Sequence, residues 1–170
     1  MSQRNQNIKL RLGQKDDARK IFNLHRRAIH EIASNDYSPE IINAWGRKFS
    51  LEELDRKQEK FEAYLKEGNI VVIAEINEVL AGFGEVMPLR NELVAAYVNP
   101  DFKRQGVGTA ILKNLELRAK AKGLKYLQLS SSITAVPFYK KNGFKAEKQG
   151  THTLSTGVKM ACVMMNKKIA

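Results

Sequence analysis

The sequence contains little cysteine and no long apolar run, and each shortage excludes a class of protein. Its 170 residues include one cysteine, Cys162. A single cysteine excludes an intramolecular disulfide framework and a cysteine-based zinc site, so we interpret Cys162 as a buried thiol and expect no bound metal. No apolar stretch reaches the roughly 18 residues of a membrane span. The first residues also lack the apolar segment of a secretion signal, so we expect a soluble cytoplasmic protein that binds no membrane.

Acidic residues are scarce in the second half of the chain. Residues 1–98 contain 15 Lys and Arg against 15 Asp and Glu, whereas residues 99–170 contain 14 against three. The net charge of +11 therefore belongs to the second half. A surface of this kind favours a polyanionic partner there, and nucleic acid and a phosphorylated cofactor both fit.

The length fits a single domain, which we place at 1–170, without repeats or linkers. Helical spacing of apolar residues predicts helices after Asp16 and after Ser38, and a further helical stretch that ends at Gly68. Between Gly68 and Val98, three β-rich runs with short turns predict an antiparallel meander. The predicted order of elements is β-α-α-β-β-β-α-β-α-β-β, a mixed α/β domain.

The segment "KRQGVG", residues 103–108, lies between the run "LVAAYV" and a predicted helix. The first turn of a helix has unpaired N–H groups and a partial positive charge. Gly106 and Gly108 lack a Cβ, so an anion can approach the backbone closely, and Lys103 and Arg104 add positive charge. The segment is neither the phosphate loop of nucleotide hydrolases nor the dinucleotide fingerprint. These residues alone leave two interpretations open, a diphosphate site and a solvated basic turn.

The segment "SITAVPFYKKNGF", residues 132–144, repeats this arrangement one strand later. Phe138 and Tyr139 are adjacent, so on a helix one can pack into the core while the other faces the gap between two strands. A free phenol titrates near ~10 and a free thiol near ~8.5, so a tyrosine in such a gap can protonate a thiolate leaving group. The alternative is that Tyr139 is simply a core residue.

In this order and spacing, the two segments resemble the motifs of the GCN5-related N-acetyltransferase (GNAT) superfamily. The family's diphosphate loop reads Q/R-x-x-G-x-G/A, and "KRQGVG" supplies it with Lys103 at the Gln/Arg position. The family's second motif, N-x-x-A-x-x-F/L-Y-x-x-x-G-F, has Ser132 at the Asn position, and this shorter side chain reaches less far toward a pantetheine arm. The stretch "RAIHEIASNDYSPEIINAWG" is also similar to a bacterial, small-molecule-type branch of the family. The resemblance covers the whole domain and implies the GNAT fold, a mostly antiparallel sheet flanked by helices.

The resemblance implies an acetyl-CoA-dependent N-acetyltransferase that acts on a primary amine by direct transfer in a ternary complex. Acetyl-CoA would lie between the splayed ends of "LVAAYV" and "YLQLSS", and Tyr139 would protonate the departing CoA thiolate. No nucleophilic cysteine or serine is required. The residues expected to bind acetyl-CoA are Tyr97, Val98, Lys103, Arg104, Gln105, Gly106, Val107, Gly108, Thr109, Ser132, Ala135 and Phe138.

The general base is less clearly marked. Glu92 falls where the histone-acetylating branch of the family keeps its base, and Glu85 is the second candidate. His30 is a weaker option, and a chain of water molecules can replace any side chain. The family binds its acceptor at the first helices and the last two strands. Here these carry an aromatic and acidic set that suits a small cationic amine: Glu31, Asp36, Tyr37, Glu40, Trp45 and the hairpin "THTLSTG".

Two other classes of function remain open. A protein of this fold can bind CoA without catalysis and act as a regulator. A basic nucleic-acid-binding module is also compatible with the sequence pI of about 9.8, although no helix-turn-helix or aromatic RNA-binding pattern is present. We therefore expect acetyl-CoA and an amine as partners, nucleic acid as an unlikely one, and a monomer or homodimer.

Overall fold

The computed structural model of the protein describes residues 7–170, whose strands form one seven-stranded sheet with helices on both faces. The strands are β1 (Lys9–Leu12), β2 (Ile70–Ile76), β3 (Val79–Met87), β4 (Glu92–Val98), β5 (Tyr126–Ser132), β6 (Lys145–Thr153) and β7 (Lys159–Lys168). The helices are α1 (Ala18–Ile32), α2 (Pro39–Trp45), α3 (Leu51–Lys66), α4 (Val107–Ala121) and α5 (Val136–Lys141). The mixed α/β prediction is confirmed, with one helix more than the predicted order because α2 and α3 are separate. The inference about a secretion signal rests partly on residues 1–6, outside the described residues.

The sheet has the strand order β1-β2-β3-β4-β5-β7-β6. Strands β2, β3 and β4 form the predicted antiparallel meander. Strands β4 and β5 are parallel neighbours, but their pairing consists of one residue pair, Glu92 with Gln128. Beyond that pair, β4 is bonded among the described strands to β3 alone, so the predicted separation of β4 and β5 is confirmed.

A bulge in β4 lies close to the point where the strands separate. Glu85 of β3 pairs with Ala95, whereas the next residue, Val86, pairs with Leu93, so Val94 has no partner on β3. A bulge bends the strand and increases its local twist. The bend therefore falls in the part of β4 that borders the gap with β5.

Two glycines of β3 allow α4 to lie directly against the sheet. A Cβ on Gly84 would lie 2.7 Å from the Cγ2 of Ile111 and 2.7 Å from a Cδ1 of Leu115, and Gly82 is equally close to α4. Because side chains alternate along a strand, Phe83 and Glu85 project from the opposite face. Strand β3 therefore presents bare backbone to α4 and side chains to the layer of α1 and α3.

Helices α1 and α3 cover the other face of the sheet. Helix α1 buries Ile21, Leu24 and Ala28, the positions that its helical periodicity predicts. Helix α3 begins with a capping box in which Ser50 and Glu53 each accept a backbone N–H from the other. No helix of residues 7–170 has the length and apolar character needed to cross a bilayer.

The close approach of α4 gives a stability prediction. Replacing Gly84 by Ala should lower the free energy of unfolding by about 1–3 kcal/mol, because the new methyl group overlaps Ile111 and Leu115. Gly150→Ala in β6 is the matched control, since a Cβ there meets its nearest atom at an ordinary 3.5 Å. Denaturant unfolding of both variants measures the difference. Equal stability of the two variants would contradict the proposed packing.

Candidate active site

A cavity of about 420 Å³ opens where β4 and β5 separate. Its floor is formed by β3, β4 and β5, and one wall by α1, α3 and the segment between α2 and α3. The other wall comes from α5 and the β6–β7 hairpin. Tyr139 of α5 lines this cavity. The loop before α4 does not line it but lies beside its end, since a Cβ on Gly108 would be 3.4 Å from Val98 and 3.1 Å from Phe138.

The loop before α4 has a run of free backbone donors. None of the N–H groups of residues 104–109 donates a hydrogen bond to another group within residues 7–170. Arg104 and Gly106 have φ values of 61° and 82°, so the backbone turns sharply around these amides. The side chains of Lys103, Arg104 and Gln105 are exposed, whereas that of Val107 is buried in the core. The loop therefore offers unpaired backbone amides, with two basic side chains and one amide side chain exposed around them.

Gly108 serves a different purpose from Gly106. A Cβ on Gly108 would lie 3.1 Å from the ring of Phe138, so this glycine lets the first turn of α4 approach α5. Gly106 has open space where a Cβ would stand, and its requirement is the positive φ. Thr109, in the same first turn, is half-buried. The two glycines thus fix, separately, the turn of the loop and the spacing between α4 and α5.

Tyr139 satisfies both interpretations of its position. Its ring is buried in the core, with ring centroids 5.1 Å from Phe138 and 5.5 Å from Phe144. Its side chain also lines the cavity, and its hydroxyl makes no hydrogen bond within the described residues. Burial raises the pKa of Tyr139 well above its usual value. The hydroxyl is therefore protonated at neutral pH and available as a donor.

The turn from β5 into α5 is held by two hydroxyl groups. Ser132 lines the cavity, and its Oγ accepts a hydrogen bond of 3.3 Å from the N–H of Ala135. The Tyr37 hydroxyl accepts a bond of 2.7 Å from the N–H of Ile133 and donates one of 2.7 Å to the carbonyl of Ala161. Tyr37, which we expected at the acceptor, instead joins the segment before α2 to β5 and β7.

Both carboxylates considered as the base line the cavity. Burial raises the pKa of Glu85 to about 7, and the adjacent Tyr64 hydroxyl, which favours the charged form, only partly offsets this. The Tyr64 hydroxyl is itself buried and makes no hydrogen bond of good geometry within residues 7–170, so it lies near Glu85 without a formed bond. Glu92 is less enclosed, and one of its oxygens lies 3.6 Å from the Nε of Arg90. Glu85 is therefore the carboxylate whose charge changes near neutral pH.

Aromatic side chains cover much of the cavity floor and of the helical wall beside it. The ring centroids of His25 and Tyr97 lie 4.6 Å apart, and those of Phe83 and Tyr97 5.5 Å apart in a stacked arrangement. Burial, together with the nearby charge of Lys57, lowers the pKa of His25 to about 4. Burial also raises the pKa of Tyr97 above its usual value. Both side chains are therefore uncharged at neutral pH.

The acidic residues expected at the acceptor do not line the cavity. Glu31 pairs with Arg27, and Asp36 accepts a hydrogen bond from Thr134. Glu40 is exposed on α2, and the Nε2 of His30 lies 2.8 Å from the carbonyl oxygen of Gly46, outside the cavity. Trp45 and the hairpin do contribute, the hairpin through His152 and Met160. These three carboxylates are exposed and lie outside this cavity, so their role at the acceptor stays a prediction.

Sequence reasoning missed four residues of the helical wall: Phe22, His25, Phe49 and Lys57. Phe22 and His25 are one turn apart on α1, beside its buried stripe, and this spacing was the available signal. Lys57 belongs to a helix rich in charged residues, where nothing distinguishes it by sequence. Cys162 is buried as expected and forms part of the cavity wall. Within residues 7–170, His, Cys, Asp and Glu form no group of three that could hold a metal ion.

Known proteins share both the fold and the sequence pattern. A family model described as an acetyltransferase (GNAT) domain matches residues 33–168. The chain therefore belongs to the GNAT acetyltransferase family. It is 31% identical over 143 residues to the uncharacterized N-acetyltransferase YafP of Escherichia coli, covering 84% of this chain and 85% of that protein. By class, this GNAT protein is an N-acetyltransferase.

Two solved GNAT structures show the same architecture. A GCN5-related N-acetyltransferase from Rhodopseudomonas palustris is 28% identical, with a TM-score of 0.81 over 94% of each chain. The PaiA N-acetyltransferase of Thermoplasma acidophilum, solved in complex with coenzyme A, is 24% identical, with a TM-score of 0.71 over 95% of this chain and 99% of that one. The similarity to the PaiA protein shows that the two chains share a fold.

Proposed function

We propose that the protein transfers the acetyl group of acetyl-CoA directly to a primary amine, with both substrates bound together. The observation that carries this proposal is the gap between β4 and β5, with Tyr139 lining its cavity and the free amides of residues 104–109 in the loop that follows β4. Amides at a helix N-terminus bind phosphate oxygens, and the unpaired edge of β4 can bind an extended chain such as pantetheine. The PaiA neighbour, solved with coenzyme A, supports this assignment.

The predicted CoA-binding residues would contribute in three ways. Backbone groups of Tyr97 and Val98 would hold the pantetheine arm along the edge of β4. The amides that follow Lys103 would hold the diphosphate, with the basic side chains of the loop around it. Ser132, Ala135 and Phe138 would border the arm on the other side, as the family motif implies.

The chemistry needs one base and one acid. In our proposal Glu85 removes a proton from the acceptor ammonium, and the free amine then attacks the thioester carbon. The new C–N bond forms as the C–S bond breaks, and Tyr139 gives its proton to the departing sulfur. The nitrogen loses its second proton as the amide forms, and this proton returns to the Tyr139 phenolate through solvent. A carboxylate with a pKa of about 7 is suited to this task at neutral pH. Glu92, the base expected from the family, stays a prediction that the same experiments test.

The first test concerns CoA binding. Gly106→Ala should weaken CoA binding at least tenfold, because its strained left-handed backbone disturbs the run of free amides. Gly123→Ala is the matched control: Gly123 has a φ of 85°, against 82° for Gly106, and open space around both Cβ positions. Both variants should lose similar thermal stability. Calorimetric titration with CoA measures the difference, and unchanged CoA affinity in Gly106→Ala would remove the loop from the site.

A second test concerns the acid. Tyr139→Phe keeps the ring packing against Phe138 and Phe144 but removes the proton donor, so turnover should fall by ~10²-fold or more. CoA affinity should change little. Tyr126→Phe, on the exposed face of β5, is the control and should keep wild-type turnover. An unaltered rate in Tyr139→Phe, measured where chemistry limits turnover, would assign the protonation step to solvent.

A third test separates the two carboxylates. Wild-type turnover should rise through pH ~7, and Glu85→Gln should lose that rise and fall ~10²-fold or more. Because the folded-state pKa of Glu85 is raised, ionisation of Glu85 opposes folding increasingly from its unfolded pKa up to about 7. Glu85→Gln should therefore be more thermostable than wild type at pH 8. This gain in thermal stability should be smaller at pH 5, where Glu85 of the folded wild type is protonated. Comparable losses of turnover in Glu92→Gln alone would give the role to Glu92.

A further inference from the structure

Among the residues that the structure describes, Lys57 is the one lysine or arginine that lines the cavity. Its ammonium lies 4.3 Å from the ring centroid of Phe49 and 5.1 Å from that of Phe22, within cation–π range of both. Within residues 7–170, no carboxylate lies within 4.0 Å of this ammonium. The nearby acid, Glu53, is occupied by Arg47 at 2.9 Å and by its own capping box. The charge of Lys57 therefore has no anionic partner among the described residues.

The cavity has a positive and a negative end. Lys57 and Tyr64 lie two turns apart on one face of α3, roughly 10 Å along the helix axis. Tyr64 is adjacent to Glu85, so the Glu85 carboxyl on the floor and the Lys57 ammonium on the helical wall lie toward different ends of the cavity. Burial and the positive charges of Arg47 and Lys60 lower the pKa of Lys57, which shows how poorly its charge is compensated.

The surface beyond the cavity continues the positive end. A neighbouring groove of about 410 Å³ shares Phe22 and Phe49 with the cavity. Arg26 and Lys48 line this groove, and no acidic residue of the described chain does so. A polycationic acceptor would meet uncompensated positive charge along this route, whereas an anionic group would be attracted toward Lys57.

We propose that the acceptor is a small amine that also carries a carboxylate, with an apolar body between the aromatic rings and its carboxylate on Lys57. This inference rests on the proposed function and specifies its substrate class. The amine end faces Glu85 and the gap between the strands, and the carboxylate end faces α3. Phe22, Phe49 and Trp45 supply apolar contact to the part between the two ends. A polyamine has no anionic group to pair with the Lys57 ammonium, and its positive charges are repelled by that ammonium.

The test compares amines that differ only in the carboxylate. The pairs are 4-(aminomethyl)benzoate with benzylamine and 6-aminohexanoate with hexylamine, and spermidine is included as a polycation. We expect the wild-type protein to prefer the carboxylate-bearing member of at least one pair tenfold or more in kcat/KM. Lys57→Met should abolish that preference, mainly by raising KM, because it keeps the side-chain length but removes the charge. Lys57→Arg should restore part of it, and the exposed Lys60→Met is the control that should keep it.

The outcomes separate this inference from the proposed function. Failure of the wild-type protein to bind CoA in calorimetry would overturn the proposed function itself. Binding of CoA with a preference for spermidine, or with a carboxylate preference that survives in Lys57→Met, would overturn this inference alone. If CoA binds but no amine of the panel is acetylated, 3-phenylpropionate decides by thermal shift of the CoA-loaded protein. A shift in the wild type that Lys57→Met loses would support the carboxylate site, and no shift in the wild type would overturn it.

Discussion

The active site depends on the single residue pair that joins β4 to β5. Strands that pair along their full length hydrogen-bond all the backbone groups of their facing edges to each other. In β4 and β5, only Glu92 and Gln128 pair. The edge of β4 beyond this point is left without a strand partner, and α4 and α5 both begin at the opening. The loop with the free amides of residues 104–109 follows the unpaired end of β4, and Tyr139 lines the cavity between the two strands. Full pairing of the two strands would close that space.

The two faces of β3 make different contacts, and both sets of contacts hold the opening between β4 and β5 in place. Gly82 and Gly84 bring α4 against the sheet, which fixes the position of the loop before it. On the other face, Phe83 packs against Tyr97, and Glu85 is enclosed beneath α3. The same enclosure that raises the pKa of Glu85 makes it useful as a base and costs stability when it ionises. Position and reactivity thus follow from one packing arrangement.

The position of the charged residues says more about the site of this protein than its net charge does. The excess of Lys and Arg in residues 99–170 agrees with a diphosphate site at residues 103–108. The first half is neutral as a whole, yet its most consequential cation is Lys57, which faces the cavity. Its near neighbours on α3 point to solvent or form ion pairs, as Arg56 does with Glu52. Burial beside aromatic rings, and not the number of charges, sets Lys57 apart.

The sequence by itself determined the mixed α/β order, the loop before α4 and the position of Tyr139. These are local features, because a turn glycine, a helix N-terminus and adjacent aromatic residues can each be recognised within a short segment of the sequence. Only the tertiary structure decided which carboxylates face the cavity, and it turned Glu31 and Asp36 outward while it enclosed Glu85. It also brought Lys57 into the site. Such choices depend on how helices of the first half pack on strands that follow them, and residues that meet only through packing share no local pattern.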